Sequence, residues 1–144
     1  MTETRNGGAL RFAGYASVFN EPDRGGDVVR PGAFAGAVAS GARNIPLLWQ
    51  HDAKRPIGRV EKIEEDARGL RVIGQLSTTA AGRDAAALLK DGAIDGLSFG
   101  YRVRKAARAA ARGGRILSDL DLIEVSLVTF PMQPLARVHA VEAA

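Results

Sequence analysis

The sequence predicts an α+β domain that consists mostly of antiparallel β-strands and contains two helices. Three observations predict this fold class. Segments in which apolar and polar residues alternate, such as 9–19, are typical of half-buried strands. Turns rich in glycine, proline and aspartate separate these segments at short intervals. Only 31–40 and 80–90 have the features of helices.

The length of 144 residues predicts a single domain, and the chain contains no internal repeat and no long linker. Its composition, with 46% hydrophobic and 25% charged residues, is typical of a globular protein. We therefore expect one domain over residues 1–144, with flexible ends at 1–8 and 142–144.

The first third of the chain contains three predicted elements. The alternating segment 9–19 predicts a strand, and 20–26 is a loop rich in turn formers. A proline–glycine pair then opens a short helix over 31–40, because the fixed φ of proline suits a first helical turn. The apolar segment 45–49 predicts a buried strand that places His51 just beyond its end.

The middle of the chain predicts two strands and the clearest helix. Segments 56–64 and 69–77 are strands joined by a short turn. The helix covers 80–90, where apolar residues repeat at the spacing of one helical face. Glycine at position 92 is suited to end it. Three residues are candidates for its N-cap: Ser77, Thr78 and Thr79.

The last part predicts a strand at 96–103 and a strand pair at 116–130 and 135–141, with a basic run before the pair. Its six positive residues fall within 14 residues that contain no acid: Arg102, Arg104, Lys105, Arg108, Arg112 and Arg115. We expect a solvated, alanine-rich loop or short helix there. With a net charge of +4, such a run suits nucleic acid or an acidic protein. Nucleic acid is not favoured, because Tyr101 is the only aromatic residue close to the run.

The composition also excludes several classes of function. The absence of cysteine excludes disulfides and thiolate metal sites, and the two histidines form no HExxH pattern. We therefore expect neither a metal nor a cofactor. No apolar run approaches the roughly 18 residues of a membrane span, and the N-terminus does not resemble a signal peptide. These observations favour a cytoplasmic protein without a membrane partner.

Three residues are candidates for catalysis: His51, Ser98 and Glu124. Serine, histidine and carboxylate are the groups that a serine hydrolase needs, as nucleophile, base and orienting group. Because side chains alternate along a strand, Ser98 lies on the same side as Glu124 if their two strands are neighbours. Gly96 and Gly100 flank the serine, and their small size would leave room for a substrate backbone.

Each candidate also has a simpler interpretation. A lone serine in a strand is most often a tolerated polar residue, and a histidine close to a tryptophan is most often packed or capping. Glu124 could pair with an arginine, since buried carboxylates are normally compensated. Asp52 competes with Glu124 as the group that orients His51. His139 lies near the C-terminus, where we expect no catalytic role.

Six segments of this sequence form an ordered set of motifs: GYASVF at 14–19, GDVVRPGAF at 26–34, LWQHD at 48–52, PIG at 56–58, GAIDGLSFGY at 92–101 and LIEVSLVTFP at 122–131. Together they resemble the prohead maturation protease family of tailed phages. The resemblance runs in order from about residue 10 to residue 138, which covers nearly the whole chain.

The resemblance implies a fold and a set of site residues. The family is similar to the herpesvirus capsid-assembly protease, so it implies an antiparallel β-barrel flanked by helices. His51 then corresponds to the general base and Ser98 to the nucleophile. The herpesvirus enzyme uses a second histidine as the third residue of its catalytic triad, and the comparable position in this sequence is Glu124. Asp52 and Asp121 are the alternatives for that third role.

The resemblance also implies a function. It predicts a serine endopeptidase of capsid maturation that acts inside the prohead of a phage, a prophage or a gene transfer particle. Its substrate would be the scaffold part of the major capsid protein precursor, a separate scaffold protein or the protease itself. The herpesvirus relatives imply a homodimer. Two other hypotheses remain open: a catalytically inactive homologue that acts as a scaffold or assembly protein, and a nucleic-acid-binding module centred on 102–115.

Overall fold

The computed structural model describes residues 9–109 and 113–144. The predicted flexible start at 1–8, and Arg112 of the basic run, lie outside these residues. In chain order the elements are β1 (Leu10–Val18), β2 (Val28–Val29), α1 (Ala35–Ser40), a 3₁₀ turn (Ala42–Asn44), β3 (Pro46–Trp49), β4 (Asp52–Glu65), β5 (Gly69–Leu76), α2 (Ala80–Lys90), β6 (Gly96–Arg108), β7 (Arg115–Val128) and β8 (Val138–Ala143).

Within the described residues, eight strands form one mixed and mostly antiparallel sheet. The order is β2-β7-β3-β4-β5-β1-β8, and β6 pairs with β7 outside this path. Strand β7 is parallel to β2 and β3, whereas the other pairs are antiparallel. Because β6 follows β7 along its whole length, β2 and β3 share the second edge of β7. Strand β7 is therefore the branch point of the sheet, where three strands meet one partner.

The predicted mostly antiparallel α+β class is confirmed, but the predicted barrel is not, because the sheet does not close among the described residues. The start of β6 meets the segment before β8 through an isolated bridge between Gly96 and Arg137. Two backbone hydrogen bonds accompany it, from Leu97 N to Ala136 O at 2.9 Å and from Val138 N to Asp95 O at 2.8 Å. This contact is too short to form a strand ladder, and it leaves the rest of that edge of β6 without a described strand partner.

The hydrophobic core is formed mainly by residues of the strands and of α2, and α1 packs against it. Strand β1 alternates between buried and partly exposed residues, as its sequence predicts. Helix α2 contacts β4 and β5, and α1 contacts β4 and β7. The last five residues of β7 are all buried, although two of them, Glu124 and Ser126, are polar. Buried polar groups require partners, and the partners of these two residues define the site described below.

The first helix begins later than the sequence predicts. Residues 31–34 form a turn, and α1 begins only at Ala35. Gly32 has a φ of 92°, in the left-handed region, which a right-handed helix does not allow. The carboxylate of Glu65, at the end of β4, instead accepts hydrogen bonds from the backbone N–H groups of Gly32 at 2.7 Å and Phe34 at 2.8 Å.

The expectation of a loop or short helix for the basic run is wrong over 104–108, whereas 102–103 lie in the predicted strand at 96–103. Together, 102–108 pair with β7 from Asp121 back to Arg115. Arg104 forms cross-strand ion pairs with Asp119 at 3.6 Å and Asp121 at 3.2 Å. The alanines favour a helix only through their weak local propensity. Pairing with β7 instead provides hydrogen bonds for the backbone N–H and C=O groups along this edge of the segment, and this pairing decides its conformation.

The N-cap of α2 provides a test of the local structure. The side chain of Thr79 accepts a hydrogen bond from Gly82 N at 3.1 Å. We expect Thr79→Ala to lower the free energy of unfolding by about 1 kcal/mol, because a helix N–H loses its partner. Urea unfolding followed by circular dichroism measures this change. The matched control is Thr78→Ala, which we expect to have little effect; an equal loss in both variants would contradict the assignment of the cap.

Candidate active site

His51 lies in a two-residue turn between β3 and β4. Gln50 and His51 have φ values of 54° and 61°, in the left-handed region that residues other than glycine rarely adopt. The turn is held against the end of β7. Gln50 N donates to Leu127 O at 2.9 Å, and the Gln50 side chain exchanges hydrogen bonds with Thr129. Contacts from a distant strand therefore fix the position of His51.

The ring of His51 contacts a buried carboxylate. Its Nδ1 lies 2.5 Å from Glu124 Oε1. The histidine side chain is 44% exposed, whereas that of Glu124 is 10% exposed, so the ring lies at the surface above a buried acid. A carboxylate only accepts hydrogen bonds, so the neutral ring carries its proton on Nδ1 and leaves Nε2 free as a base.

Ser126 joins the histidine to the glutamate and is the site residue that the sequence analysis missed. Its hydroxyl accepts a hydrogen bond from His51 N at 3.0 Å and donates to Glu124 Oε2 at 2.6 Å. Both oxygens of the buried carboxylate therefore have partners. The alternation of β7 placed Ser126 beside Glu124, but no local signal distinguished this serine from an ordinary strand residue.

Ser98 lies directly opposite Ser126 in the ladder between β6 and β7. Opposite residues of an antiparallel pair lie on the same face of the sheet, and so do residues two positions apart. Ser98, Ser126 and Glu124 therefore share one face, and His51 is hydrogen-bonded to the two β7 residues of this set. The predicted proximity of the strands of Ser98 and Glu124 agrees with this register. Ser98 itself is buried and lines a cavity at the protein surface.

The space beside the two glycines that flank Ser98 is occupied by other atoms of the protein. A Cβ on Gly100 would lie 2.6 Å from Glu124 Oε1, so the glycine leaves the space that the carboxylate occupies. A Cβ on Gly96 would lie 2.6 Å from Val128 O and 2.9 Å from a side-chain carbon of Pro131. The expectation that these glycines leave room for a substrate backbone is therefore wrong.

The other candidate acids are engaged elsewhere. Asp52 Oδ1 accepts a hydrogen bond from Lys54 N at 2.9 Å, and Asp121 Oδ1 accepts one from Arg104 at 3.2 Å. Glu124 is the carboxylate that contacts the ring of His51. The second histidine, His139, lies in β8, where its ring centroid is 5.7 Å from that of Tyr15.

The hydrogen bond that His51 donates to Glu124 raises the pKa of the ring above its ordinary value of 6.5. Partial burial of the ring acts in the opposite direction, and the negative charge of Glu124 adds to the rise. The ring is therefore a stronger base than an isolated imidazole.

Among residues 9–109 and 113–144, no group of three or more acidic or histidine side chains is arranged to hold a metal ion. No helix in this part of the chain is long and apolar enough to cross a membrane.

The fold is that of the herpesvirus proteases. The structure of the KSHV protease superposes with a TM-score of 0.65 and 13% sequence identity, over 94% of this chain and 66% of that chain. The family described as Caudovirus prohead serine protease has a sequence model that matches residues 1–144. This chain therefore belongs to the prohead serine protease family of tailed phages.

Curated relatives agree with this family. The prohead protease of Enterobacteria phage HK97 is 36% identical over 135 residues, and that of Escherichia phage T5 is 30% identical over 128 residues. These matches cover 92% and 86% of this chain but only 60% and 59% of the relatives, so the chain spans about three fifths of their length. A capsid polyprotein of Pseudomonas phage PAJU2 is 30% identical over 129 residues, which are 85% of this chain and 19% of that protein.

The contact between Glu124 and His51 predicts a change in histidine titration. We expect Glu124→Gln to lower the pKa of His51, because the amide retains a hydrogen-bond acceptor but removes the negative charge that favours the protonated ring. An NMR pH titration of the imidazole signals measures this pKa. The chain has two histidines, so His139→Gln assigns both sets of signals. Asp52→Asn is the matched control; a lower pKa in that variant instead would contradict the assignment.

Ser126 predicts a loss of stability on truncation. In Ser126→Ala, His51 N and Glu124 Oε2 both lose the hydroxyl that joins them. We expect the free energy of unfolding to fall by about 1–3 kcal/mol, since an unsatisfied polar group is left in a buried position. Urea unfolding measures the loss. The control is Ser118→Ala on the exposed part of the same strand, and the interpretation fails if both variants unfold alike.

Proposed function

We propose that this chain is a serine endopeptidase in which Ser98 is the nucleophile and His51 is the general base. Glu124 orients the base. The observation that supports this proposal most strongly is the 2.5 Å contact between His51 Nδ1 and the buried carboxylate of Glu124, beside the strand that carries Ser98. The membership of the chain in the prohead serine protease family supports the same assignment.

The proposed reaction follows from the protonation state of the ring. His51 Nε2 takes the proton of Ser98 Oγ while Oγ attacks the carbonyl carbon of a peptide bond. His51 then gives that proton to the leaving amine, and water hydrolyses the acyl-enzyme in a second cycle of the same transfers. Glu124 stays ionised throughout, holds the ring in the Nδ1–H tautomer and stabilises the imidazolium.

The proposed substrate is the precursor of the major capsid protein, or a separate scaffold protein, inside the immature shell. The names of the relatives support this substrate, since two are prohead proteases and one is a capsid polyprotein. We further propose that the protease processes itself, as the family resemblance implies. We also propose that it works as a homodimer, as the likeness to the herpesvirus proteases implies. The place of action is the assembling prohead.

Co-expression with the cognate capsid precursor tests this function. We expect the precursor to be shortened at a defined bond by the wild-type protein and to stay intact with Ser98→Ala. Loss of the nucleophile costs on the order of 10⁶ in kcat in other serine proteases, against roughly 10⁴ for the orienting carboxylate. Glu124→Gln should therefore leave a small measurable rate in purified, assembled proheads. Intact-mass analysis follows the capsid chain.

The control for this experiment is Ser118→Ala, which removes an exposed hydroxyl from β7 and should leave cleavage unchanged. Shortening of the precursor by Ser98→Ala at the wild-type rate would overturn the proposed nucleophile. If the precursor, any separate scaffold protein and the protease itself all stay intact in proheads that contain the wild-type protein, the proposed activity is overturned and the inactive assembly protein is favoured.

A further inference from the structure

Ser126 is the second serine of the site, and its hydroxyl is not arranged to attack a substrate. The residue is 0% exposed and lies in the buried end of β7. Its Oγ donates its proton to Glu124 Oε2 and accepts the backbone N–H of His51. A nucleophilic serine gives its proton to the base, whereas this proton is directed at an acceptor other than the imidazole. Ser126 therefore requires an explanation different from that of Ser98.

The hydrogen bonds among Ser126, Glu124 and His51 form a closed ring. They run from His51 N to Ser126 Oγ at 3.0 Å, and from this hydroxyl to Glu124 Oε2 at 2.6 Å. They return from Nδ1 of the same histidine to Glu124 Oε1 at 2.5 Å. The histidine is thus held at its main chain and at its imidazole, in both cases by residues of β7. A catalytic side chain keeps one orientation when the groups around it are themselves fixed in this way.

The carboxylate of Glu124 is confined on two sides. On one side, Ser126 holds Oε2. On the other, the carboxylate lies against Gly100, where an added Cβ would be 2.6 Å from Oε1 and 3.1 Å from the carboxyl carbon. The terminal torsion of a glutamate is intrinsically broad, so without the hydroxyl the carboxylate is free to turn either oxygen towards the imidazole or away from it. The bond from Ser126 therefore selects the oxygen that meets His51 Nδ1.

A hydroxyl is the group that the two bonds of Ser126 require. It donates one proton and accepts on its lone pairs, so it satisfies a backbone N–H and a carboxylate at the same time. Alanine offers neither function, and the thiol of cysteine is weak in both. Threonine keeps the hydroxyl and adds one methyl group. Threonine is therefore the conservative replacement that preserves the closed ring of hydrogen bonds, and alanine is the replacement that opens it.

We propose that Ser126 is a positioning residue, whose hydroxyl aligns Glu124 with the imidazole of His51 and so holds that imidazole in the Nδ1–H tautomer. Nε2 is then free to take the proton of Ser98. In the other tautomer Nε2 carries a proton and has no lone pair for this transfer. Ser126 acts through Glu124 and does not touch the substrate. This inference rests on the proposed function, because the tautomer matters to catalysis only if His51 is the base.

The tautomer of His51 tests this role without any substrate. Nitrogen-15 NMR distinguishes a protonated ring nitrogen from an unprotonated one, and the measurement is made above the pKa of the imidazole, where the ring is neutral. We expect the wild-type protein to contain the Nδ1–H tautomer alone and Ser126→Ala to contain a mixture of both tautomers. Ser126→Thr should restore the wild-type spectrum. A mixture of tautomers in the wild-type protein overturns the positioning role before any variant is made.

Labelling of Ser98 by a small fluorophosphonate measures the consequence for the nucleophile, since this probe reacts with a serine that a base has activated. We expect Ser126→Ala to be labelled about tenfold to hundredfold more slowly than the wild-type protein, as the loss of a hydrogen bond to a charged group implies. Ser126→Thr should regain most of the rate. With the capsid precursor as substrate, the loss should appear in kcat and leave KM unchanged, because Ser126 does not contact the substrate.

Two controls separate positioning from a general loss of stability. Ser17→Ala removes the hydroxyl of another buried strand serine, which has no hydrogen-bond partner among the described residues. Thr79→Ala removes the N-cap of α2, which is not part of the closed ring of hydrogen bonds. Both controls should keep the wild-type tautomer and labelling rate. If Ser126→Ala does not fold, Ser126→Cys takes its place, since a thiol occupies the position but forms only weak hydrogen bonds.

The two measurements distinguish failure of the positioning role from failure of the proposed function. If the wild-type protein is labelled and Ser98→Ala is not, but Ser126→Ala keeps the wild-type tautomer and rate, the positioning role is overturned and the proposed function stands. If Ser17→Ala and Thr79→Ala lose the tautomer as well, the effect is one of stability, and the positioning role is again overturned. If the wild-type protein is neither labelled nor active, the proposed function fails and the positioning role falls with it.

Discussion

The site depends on one buried carboxylate. Glu124 lies in a strand whose last residues are all buried, so its charge requires compensation on both oxygens. His51 supplies one partner and Ser126 the other, and Gly100 leaves the space in which the carboxylate lies. Replacing His51 or Ser126 removes a hydrogen-bond partner of the buried carboxylate, and replacing Gly100 fills the space that it occupies.

The site is assembled around β7. Glu124 and Ser126 lie on this strand, Ser98 lies on β6 along one of its edges, and His51 follows β3, which pairs along the other edge. The antiparallel register with β6 places Ser98 opposite Ser126, whereas the parallel register with β3 carries His51 to the same end. A slip of one residue in either pair would turn these side chains to the opposite face. The register of two ladders therefore decides whether the site exists.

Local patterns predicted most of the elements and part of the site. Alternation identified β1 and the strands of Ser98 and Glu124, and the N-cap candidates included Thr79, which caps α2. The roles of Ser126 and Gly100 depend on neighbours across the sheet, which a single sequence does not display. The conformation of 104–108 also depends on a distant partner, since pairing with β7 overrides the local preference of the alanines. The predicted barrel rested on a resemblance, and among the described residues its closing contact is one bridge.

The left-handed turn at Gln50 and His51 links the site to the folding of the whole domain. Residues other than glycine pay a conformational penalty of about 1 kcal/mol or more in this region, so the turn forms only when other contacts offset that penalty. Those contacts come from Ser126, Leu127 and Thr129, more than 70 positions along the chain. A ribosome-bound or truncated chain that lacks β7 therefore has no means of holding the histidine in place. The imidazole of His51 is present in the nascent polypeptide from early in its synthesis. It is positioned as a base only after β7, the last long strand, has been made.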